Sequence, residues 1–194
     1  MFKLEHLLSK LPRLSQGARV VELGCWPGGW LQMLAERVGP SGRVVGVDLE
    51  PLEPLPEPVQ TLQLDFTEPD APARIEAALD RPADAVISDA APKLTGIRDL
   101  DRAALEELHE AALRVVDRVL RPGGAILLKG FPGPEGDRFR ALLRGRFERV
   151  SEVRPEGRRS TSKEFYWVIP GDLGGPSEPR GGRRRERSRR GSRA

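Results

Sequence analysis

The chain has 194 residues, of which 38% are hydrophobic and 31% are charged, a composition typical of one globular domain. No apolar run approaches the roughly 18 residues of a membrane-spanning helix, and the N-terminus lacks the pattern of a signal peptide. The single cysteine, Cys25, cannot form an internal disulfide. We therefore expect a cytoplasmic protein without a membrane segment.

Apolar runs alternate with helical patterns along the first 170 residues. Strands are predicted at 19–23, 43–48, 59–64, 84–89 and 125–129, with two more near 147–153 and 164–169. Helices are predicted at about 29–38, 71–79, 100–120 and 135–143. This alternation is typical of an open α/β sheet. The last two strands are joined by a connection too short for a parallel crossover, so we expect the final strand to be antiparallel.

The end of the chain differs in composition from the rest. Residues 178–194 hold eight arginines and two glutamates, a charge of +6, whereas the whole chain carries +3. We expect one folded domain over residues 1–170, then a Gly/Pro linker and an Arg-rich tail over 171–194. Two interpretations of the tail stay open: an RNA tether that neutralises phosphates, or a solubilising terminus that cannot fold alone.

A glycine-rich loop follows the first predicted strand. It contains Gly24 and then Pro27, Gly28, Gly29 and Trp30. Glycines let a ligand approach the backbone closely, and the helix that follows offers free N–H groups. The spacing is not the Gly-x-Gly-x-x-Gly of dinucleotide-binding proteins, which argues against a nicotinamide-dependent oxidoreductase. A sulfonium cofactor has no pyrophosphate, but its carboxylate can still bind to the free N–H groups at the helix N-terminus. The alternative is that the loop has a purely structural role.

Two carboxylates follow neighbouring predicted strands. Asp48 ends the second strand, where a ribose diol would be held. Asp65 ends the third strand and could accept a hydrogen bond from an adenine amino group, with Phe66 against the ring. Strand-end aspartates also cap helices and turns, so each alone would be weak evidence, but together they favour an adenosine-binding site.

Lys129 and Asp89 are candidates for chemistry at adjacent strand ends. Lysines are scarce, since only five of the 32 basic residues are lysine. A desolvated lysine can become neutral and act as a base on a weakly acidic hydroxyl, whereas arginine stays protonated. Lys129 ends the fifth predicted strand and Asp89 ends the fourth, so the two should lie close together. A structural ion pair at the sheet edge is the alternative.

These motifs resemble the FtsJ/RrmJ (RlmE-type) family of ribose 2′-O-methyltransferases over about residues 2–170. The loop from Leu23 to Trp30 matches the family's Leu-Gly-x-x-Pro-Gly-Gly-Trp. The family's Lys-Asp-Lys-Glu tetrad is matched in order by Lys3 in Phe2-Lys3-Leu4, Asp89 in Ser88-Asp89-Ala90-Ala91-Pro92, Lys129 in Leu128-Lys129-Gly130-Phe131 and Glu164 in Lys163-Glu164-Phe165-Tyr166. In the cofactor loop Cys25-Trp26 stands where small residues are expected.

The resemblance implies a Rossmann-like methyltransferase fold, with a seven-stranded, mostly parallel sheet whose last strand is antiparallel. It implies S-adenosylmethionine as the cofactor, bound by the loop and strand-end residues named above: Gly24, Pro27, Gly28, Gly29, Trp30, Asp48, Asp65, Phe66 and Asp89. Lys129 would be the base on the 2′-hydroxyl, with Lys3 and Glu164 completing a charge network. Asp89 would favour the protonated form of Lys129, while Lys3 and burial would favour the neutral form. For Lys3 and Glu164, an exposed surface charge is the alternative.

The family's bacterial members act on a uridine in the peptidyl-transferase region of the large ribosomal subunit. The resemblance therefore implies methylation of a uridine ribose in 23S rRNA, within the ribosomal subunit, by an enzyme that we expect to be a monomer. A tRNA 2′-O-methyltransferase and a non-catalytic RNA-binding or ribosome-assembly protein stay open. His6 and His109 have no partners at metal-ligand spacing, so no metal site is predicted.

Overall fold

The computed structural model describes residues 2–11, 14–155 and 164–171. Within these ranges the helices are α1 (Phe2–Leu8), α2 (Gly29–Val38), α3 (Ala71–Ala77), α4 (Arg98–Val119) and α5 (Pro134–Arg146). The strands are β1 (Arg19–Leu23), β2 (Arg43–Asp48), β3 (Val59–Gln63), β4 (Ala83–Ser88), β5 (Leu120–Gly130), β6 (Ser151–Val153) and β7 (Phe165–Ile169). None of these described helices is long and apolar enough to cross a membrane. Apart from Gly171, the predicted linker and tail lie outside the described residues.

The strands form one seven-stranded sheet in the order β3-β2-β1-β4-β5-β7-β6. Strands β1 to β5 pair in parallel, and β7 runs antiparallel to both of its neighbours, β5 and β6. The predicted fold class, including the antiparallel last strand, is confirmed. The chain runs outward from β1 to β3 and then returns to β4 on the other side of β1, so β1 and β4 flank the topological switch point.

The central strands are buried because helices cover both faces of the sheet. Strands β1, β2 and β4 therefore have nearly continuous apolar sequences rather than alternating ones. One face packs against α1 and α2, through buried residues such as Leu4 and Leu31. The other face packs against α3, α4 and α5, through residues such as Ile75 and Val115.

The two largest differences from the predicted boundaries lie in β5 and β6. Residues 121–124 were expected to separate a helix that ends at about 120 from a strand that begins at 125. Instead β5 already begins at Leu120, which pairs with Ala83, and the register then shifts before Ala125 pairs with Ala85. The Pro-Gly-Gly sequence is thus accommodated as an irregularity within the strand. Strand β6 is shorter than the predicted 147–153, because only residues 151–153 pair with β7.

Candidate active site

A pocket of about 380 Å³ opens at the carboxyl ends of β1, β2 and β4. Its lining combines the ends of these strands, the segment after β3, the segment after Asp89 and one turn of α4. The candidate cofactor residues in this lining are Gly24, Asp48, Asp65, Phe66 and Asp89. Both the volume and the mixture of apolar and acidic groups suit an adenosine-containing cation. These residues therefore fit the predicted cofactor.

Gly24 lets the loop after β1 approach the segment after β4. Its φ of +77° lies in the left-handed region, and a Cβ there would come within 2.7 Å of the Cα of Ala90. The backbone N–H of Asp89 donates to the carbonyl of Leu23 over 3.1 Å, which continues the β1–β4 pairing by one residue. The carboxylate of Asp89 is thereby held next to the glycine-rich loop.

Asp48 and Asp65 each organise a loop while lining the pocket. Asp48 accepts hydrogen bonds from the backbone N–H groups of Trp26 (2.8 Å) and Glu50 (3.0 Å). Asp65 accepts through Oδ1 from both the backbone N and the hydroxyl of Thr67. Each carboxylate oxygen has two lone pairs, so both groups keep acceptor capacity for a ligand. Both aspartates therefore cap turns, as the alternative interpretation expected, and both can also bind a ligand.

Trp26 also lines this pocket, but four loop residues predicted to bind the cofactor do not: Pro27, Gly28, Gly29 and Trp30. Pro27 faces a neighbouring cleft together with residues 51–55. Gly28 precedes α2 with a φ of +97°, and a Cβ there would meet the Leu52 side chain at 3.1 Å. The ring of Trp30 lies 5.7 Å from the Nζ of Lys3 and 6.3 Å from the ring of Tyr166. Trp30 therefore borders the charged cluster described next rather than the pocket.

Four side chains of alternating charge form a ring beside the pocket. The ammonium of Lys3 lies 3.3 Å from Asp89 and 3.5 Å from Glu164. The ammonium of Lys129 lies 3.4 Å from Asp89 and 3.2 Å from Glu164. These four residues come from α1, the end of β4, the end of β5 and the start of β7, and we call them the charge ring. The motif predicted that they would lie together, and they do; their catalytic roles stay predictions.

Burial differs around the charge ring. The Lys129 side chain is only 10% exposed, whereas the other three members are 25–33% exposed. Burial would raise the pKa of Glu164, but Lys129 and then Lys3 lower it below its ordinary value. Glu164 is therefore ionised at neutral pH, and Lys129 is held between two carboxylates with little contact with water.

Tyr166 belongs to this site although the sequence analysis did not single it out. It pairs with Lys129 across β5 and β7, so the two side chains share one face of the sheet. Its buried hydroxyl donates a hydrogen bond to Oδ1 of Asp89. Burial, with the nearby charge of Asp89, raises the pKa of Tyr166 far above its usual value, so the hydroxyl keeps its proton. The sequence predicted the antiparallel last strand but not its register, and the register decides that Tyr166 lies opposite Lys129.

Glu22 is a second carboxyl that the sequence analysis missed. It lies on β1 and is 2% exposed. Burial, and then the charges of Asp89 and Asp48, raise its pKa well above the usual value. Glu22 therefore takes up a proton more readily than an exposed carboxyl does.

A crevice at the switch point of such a sheet, with acidic groups behind a glycine-rich loop, fits a Rossmann-like methyltransferase whose cofactor is S-adenosylmethionine. A protein described as a ribosomal RNA methyltransferase from Plasmodium falciparum has the same fold, with 24% identity, a TM-score of 0.73 and coverage of 88% of this chain and 94% of that one. Aeropyrum pernix fibrillarin, solved with natively bound S-adenosyl-L-methionine, has 17% identity, a TM-score of 0.63 and coverage of 86% and 74%. The chain belongs to the FtsJ-like methyltransferase family, whose sequence model matches residues 1–171.

Two curated relatives are each named Ribosomal RNA large subunit methyltransferase E. The protein from Methanothrix thermoacetophila is 45% identical over 167 residues, which cover 86% of this chain and 64% of that protein. The protein from Myxococcus xanthus is 42% identical over 168 residues, which cover 86% and 79%. This chain thus spans less than two thirds of the first relative's length and about four fifths of the second's.

Proposed function

We propose that this protein transfers a methyl group from S-adenosylmethionine to a ribose 2′-hydroxyl of RNA, namely of a uridine in 23S rRNA. The observation that carries the proposal is Lys129, a nearly buried lysine held by two carboxylates beside the cofactor pocket. The names of the curated relatives support large-subunit ribosomal RNA as the substrate.

Lys129 is the proposed base. A ribose hydroxyl is a very weak acid, so its proton must be removed as the oxygen becomes a nucleophile. The Nζ of Lys129, in its neutral form, takes that proton. S-adenosylmethionine, when bound, supplies the methyl group as an electrophile. The low exposure of Lys129 keeps water from competing for the proton.

The other members of the charge ring act on Lys129. Asp89 and Glu164 hold its ammonium group and stabilise the charge that it acquires with the proton. Lys3 contacts the same two carboxylates and so draws part of their negative charge away from Lys129.

The finer properties of the complex are also proposals. We propose that the enzyme acts as a monomer in the cytoplasm and that its substrate is the RNA within the ribosomal subunit. A tRNA substrate and a non-catalytic RNA-binding role are the competing functions, and the experiment below separates them.

The first test is methyl transfer to ribosomal RNA. The protein is incubated with tritiated S-adenosylmethionine and large subunits from a strain that lacks this modification, and the product is mapped by mass spectrometry. We expect one methylated uridine ribose. The Lys129→Met variant should be slower by about 10²- to 10⁴-fold because it has lost the base.

The matched control is Lys10→Met, which removes an exposed lysine outside the site and should keep full activity. Cofactor binding by calorimetry shows whether each variant is folded. Methyl transfer to tRNA but not to ribosomal subunits would identify tRNA, rather than ribosomal RNA, as the substrate. Cofactor binding without transfer to either RNA would favour the non-catalytic role.

A further inference from the structure

Trp26 presents a large apolar side chain to solvent at the rim of the cofactor pocket. Its side chain is 60% exposed, and that of Leu49, also in the pocket lining, is 57% exposed. Leaving an indole in water forgoes the free energy of burying it. An exposed aromatic ring at the mouth of a concave pocket is thus placed to be covered by the ligand of that pocket.

The backbone around Trp26 is firmly held. The N–H groups of Gly24 and Cys25 donate to the carbonyl of Val47, and the N–H of Gly28 donates to the carbonyl of Cys25. The Cys25 side chain is buried in the core, whereas the neighbouring Trp26 side chain is at the surface. The indole therefore projects from a fixed loop, which lowers the entropy cost of binding against it.

We propose that Trp26 packs over the adenosine moiety of the cofactor and closes the pocket on its solvent side. The inference rests on the proposed function's cofactor site and adds a residue to it. The N–H of Trp26 donates to Asp48, the carboxylate expected to hold the ribose diol. Trp26 also shares the pocket lining with Asp65 and Phe66, which are expected to hold the adenine.

The charges around the pocket favour the cofactor over an RNA base as the partner of Trp26. One basic side chain, Lys93, lines the pocket against five acidic ones: Asp48, Glu50, Asp65, Asp89 and Glu107. Lys93 itself lies 3.9 Å from Glu50. Such a surface repels phosphates and attracts the sulfonium and ammonium charges of S-adenosylmethionine.

Trp26 also offers a direct spectroscopic test. The chain has three tryptophans, and Trp167 is fully buried in the core. Titration with S-adenosylhomocysteine should quench the emission of the wild-type protein as adenine covers the indole. The quench should be largely lost in Trp26→Phe, although calorimetry should show that this variant still binds.

Affinity measurements test the contact itself. Trp26→Ala should bind S-adenosylhomocysteine about tenfold more weakly, the size expected for one aromatic ring against one base. The same factor should appear with 5′-methylthioadenosine, which lacks the amino acid part, and Trp26→Phe should recover most of the loss. The matched control is Leu142→Ala, which shortens an exposed apolar side chain on α5, outside the pocket lining, and should bind like the wild type.

Two results would overturn the inference. One is equal affinity of Trp26→Ala and wild type for both ligands, with the far-ultraviolet circular dichroism unchanged. The other is an unchanged affinity for the cofactor together with a raised KM for RNA, which would assign Trp26 to the substrate. If the wild type binds S-adenosylhomocysteine but methylates no RNA, the proposed function fails while the effect of Trp26 on affinity is still measured.

Discussion

The hydroxyl of Tyr166 is the one uncharged group that donates to the charge ring among the described residues. Asp89 accepts a hydrogen bond from this hydroxyl and also contacts the ammonium groups of Lys3 and Lys129. A hydrogen bond to a carboxylate spreads its negative charge and fixes its rotamer. We therefore expect Tyr166 to act on the chemistry through Asp89, as a positioning residue.

Tyr166→Phe should slow methyl transfer by about tenfold, the size of one hydrogen bond to a charged group. Without the hydroxyl, the rotamer of Asp89 is no longer fixed by this hydrogen bond. The loss should therefore appear in kcat, while the affinity for S-adenosylhomocysteine stays nearly unchanged, because Tyr166 does not line the cofactor pocket. Single-turnover rates and a cofactor titration of the two proteins measure these effects. An unchanged rate would show that the hydroxyl only fills space.

Sequence motifs, rather than patterns of apolar residues, predicted the members of the candidate site. Lys3, Asp89, Lys129 and Glu164 could be chosen from the sequence because their neighbours resemble a known family. Tyr166 could not, because its place depends on the register between β5 and β7, which involves residues far apart in the chain. The position of Trp30 beside Lys3 likewise depends on how α1 packs against α2, which local sequence does not encode.

Helix α4 packs against the sheet through an aromatic cluster that contains His109. The imidazole stacks on Phe139 with 4.3 Å between ring centroids and meets Trp167 edge-on at 5.2 Å. Burial lowers the pKa of His109 to about 4, below its ordinary value of 6.5. The sequence analysis found no partners at metal-ligand spacing for this histidine, and the structure places it in the core.

This buried histidine should make the protein acid-sensitive. Its folded-state pKa is the lower one, so between pH 6.5 and 4 the unfolded chain binds the proton and stability falls as the pH falls. His109→Phe should remove up to about 3 kcal/mol of this pH dependence. Urea unfolding at several pH values between 7 and 4.5 measures the slope.

The matched control for the acid experiment is Phe139→Leu. It disturbs the same packing but keeps the imidazole, so it should lower the free energy of unfolding at every pH without flattening the slope. A slope in His109→Phe equal to that of the wild type would show that other groups cause the acid sensitivity.

Helices and strands were predictable where residues of the local sequence mark their ends. Helix α2 lies between Gly28 and Gly39, both with positive φ, and was predicted to the residue. Strands β1 and β2 were also predicted correctly, because a buried parallel strand has an unbroken apolar sequence. Strand β5 was not, because the pairing of Leu120 with Ala83 overrides the turn-forming tendency of Pro-Gly-Gly.

The molecule as a whole divides its charge unevenly. Residues 178–194 have a net charge of +6, whereas the whole chain has a net charge of only +3. The remaining residues therefore have a net negative charge. The described pocket is acidic too, which suits a cationic cofactor but not a polyanion. RNA binding by a protein of this kind needs positive charge elsewhere, and the eight arginines of the tail provide the largest block of it.

Removing residues 172–194 should weaken RNA binding and reduce its dependence on salt. If half of the eight arginines contact phosphates, the slope of log K against log salt concentration should become shallower by about 3. The affinity for S-adenosylhomocysteine should not change, because the pocket lies within the remaining residues. A variant with every tail arginine replaced by lysine keeps the charge and should retain the slope. Equal salt-dependence slopes for the truncated and the 194-residue chains would instead assign the tail to solubility. They would also mean that residues before the tail, despite their net negative charge, supply the cations that bind the RNA.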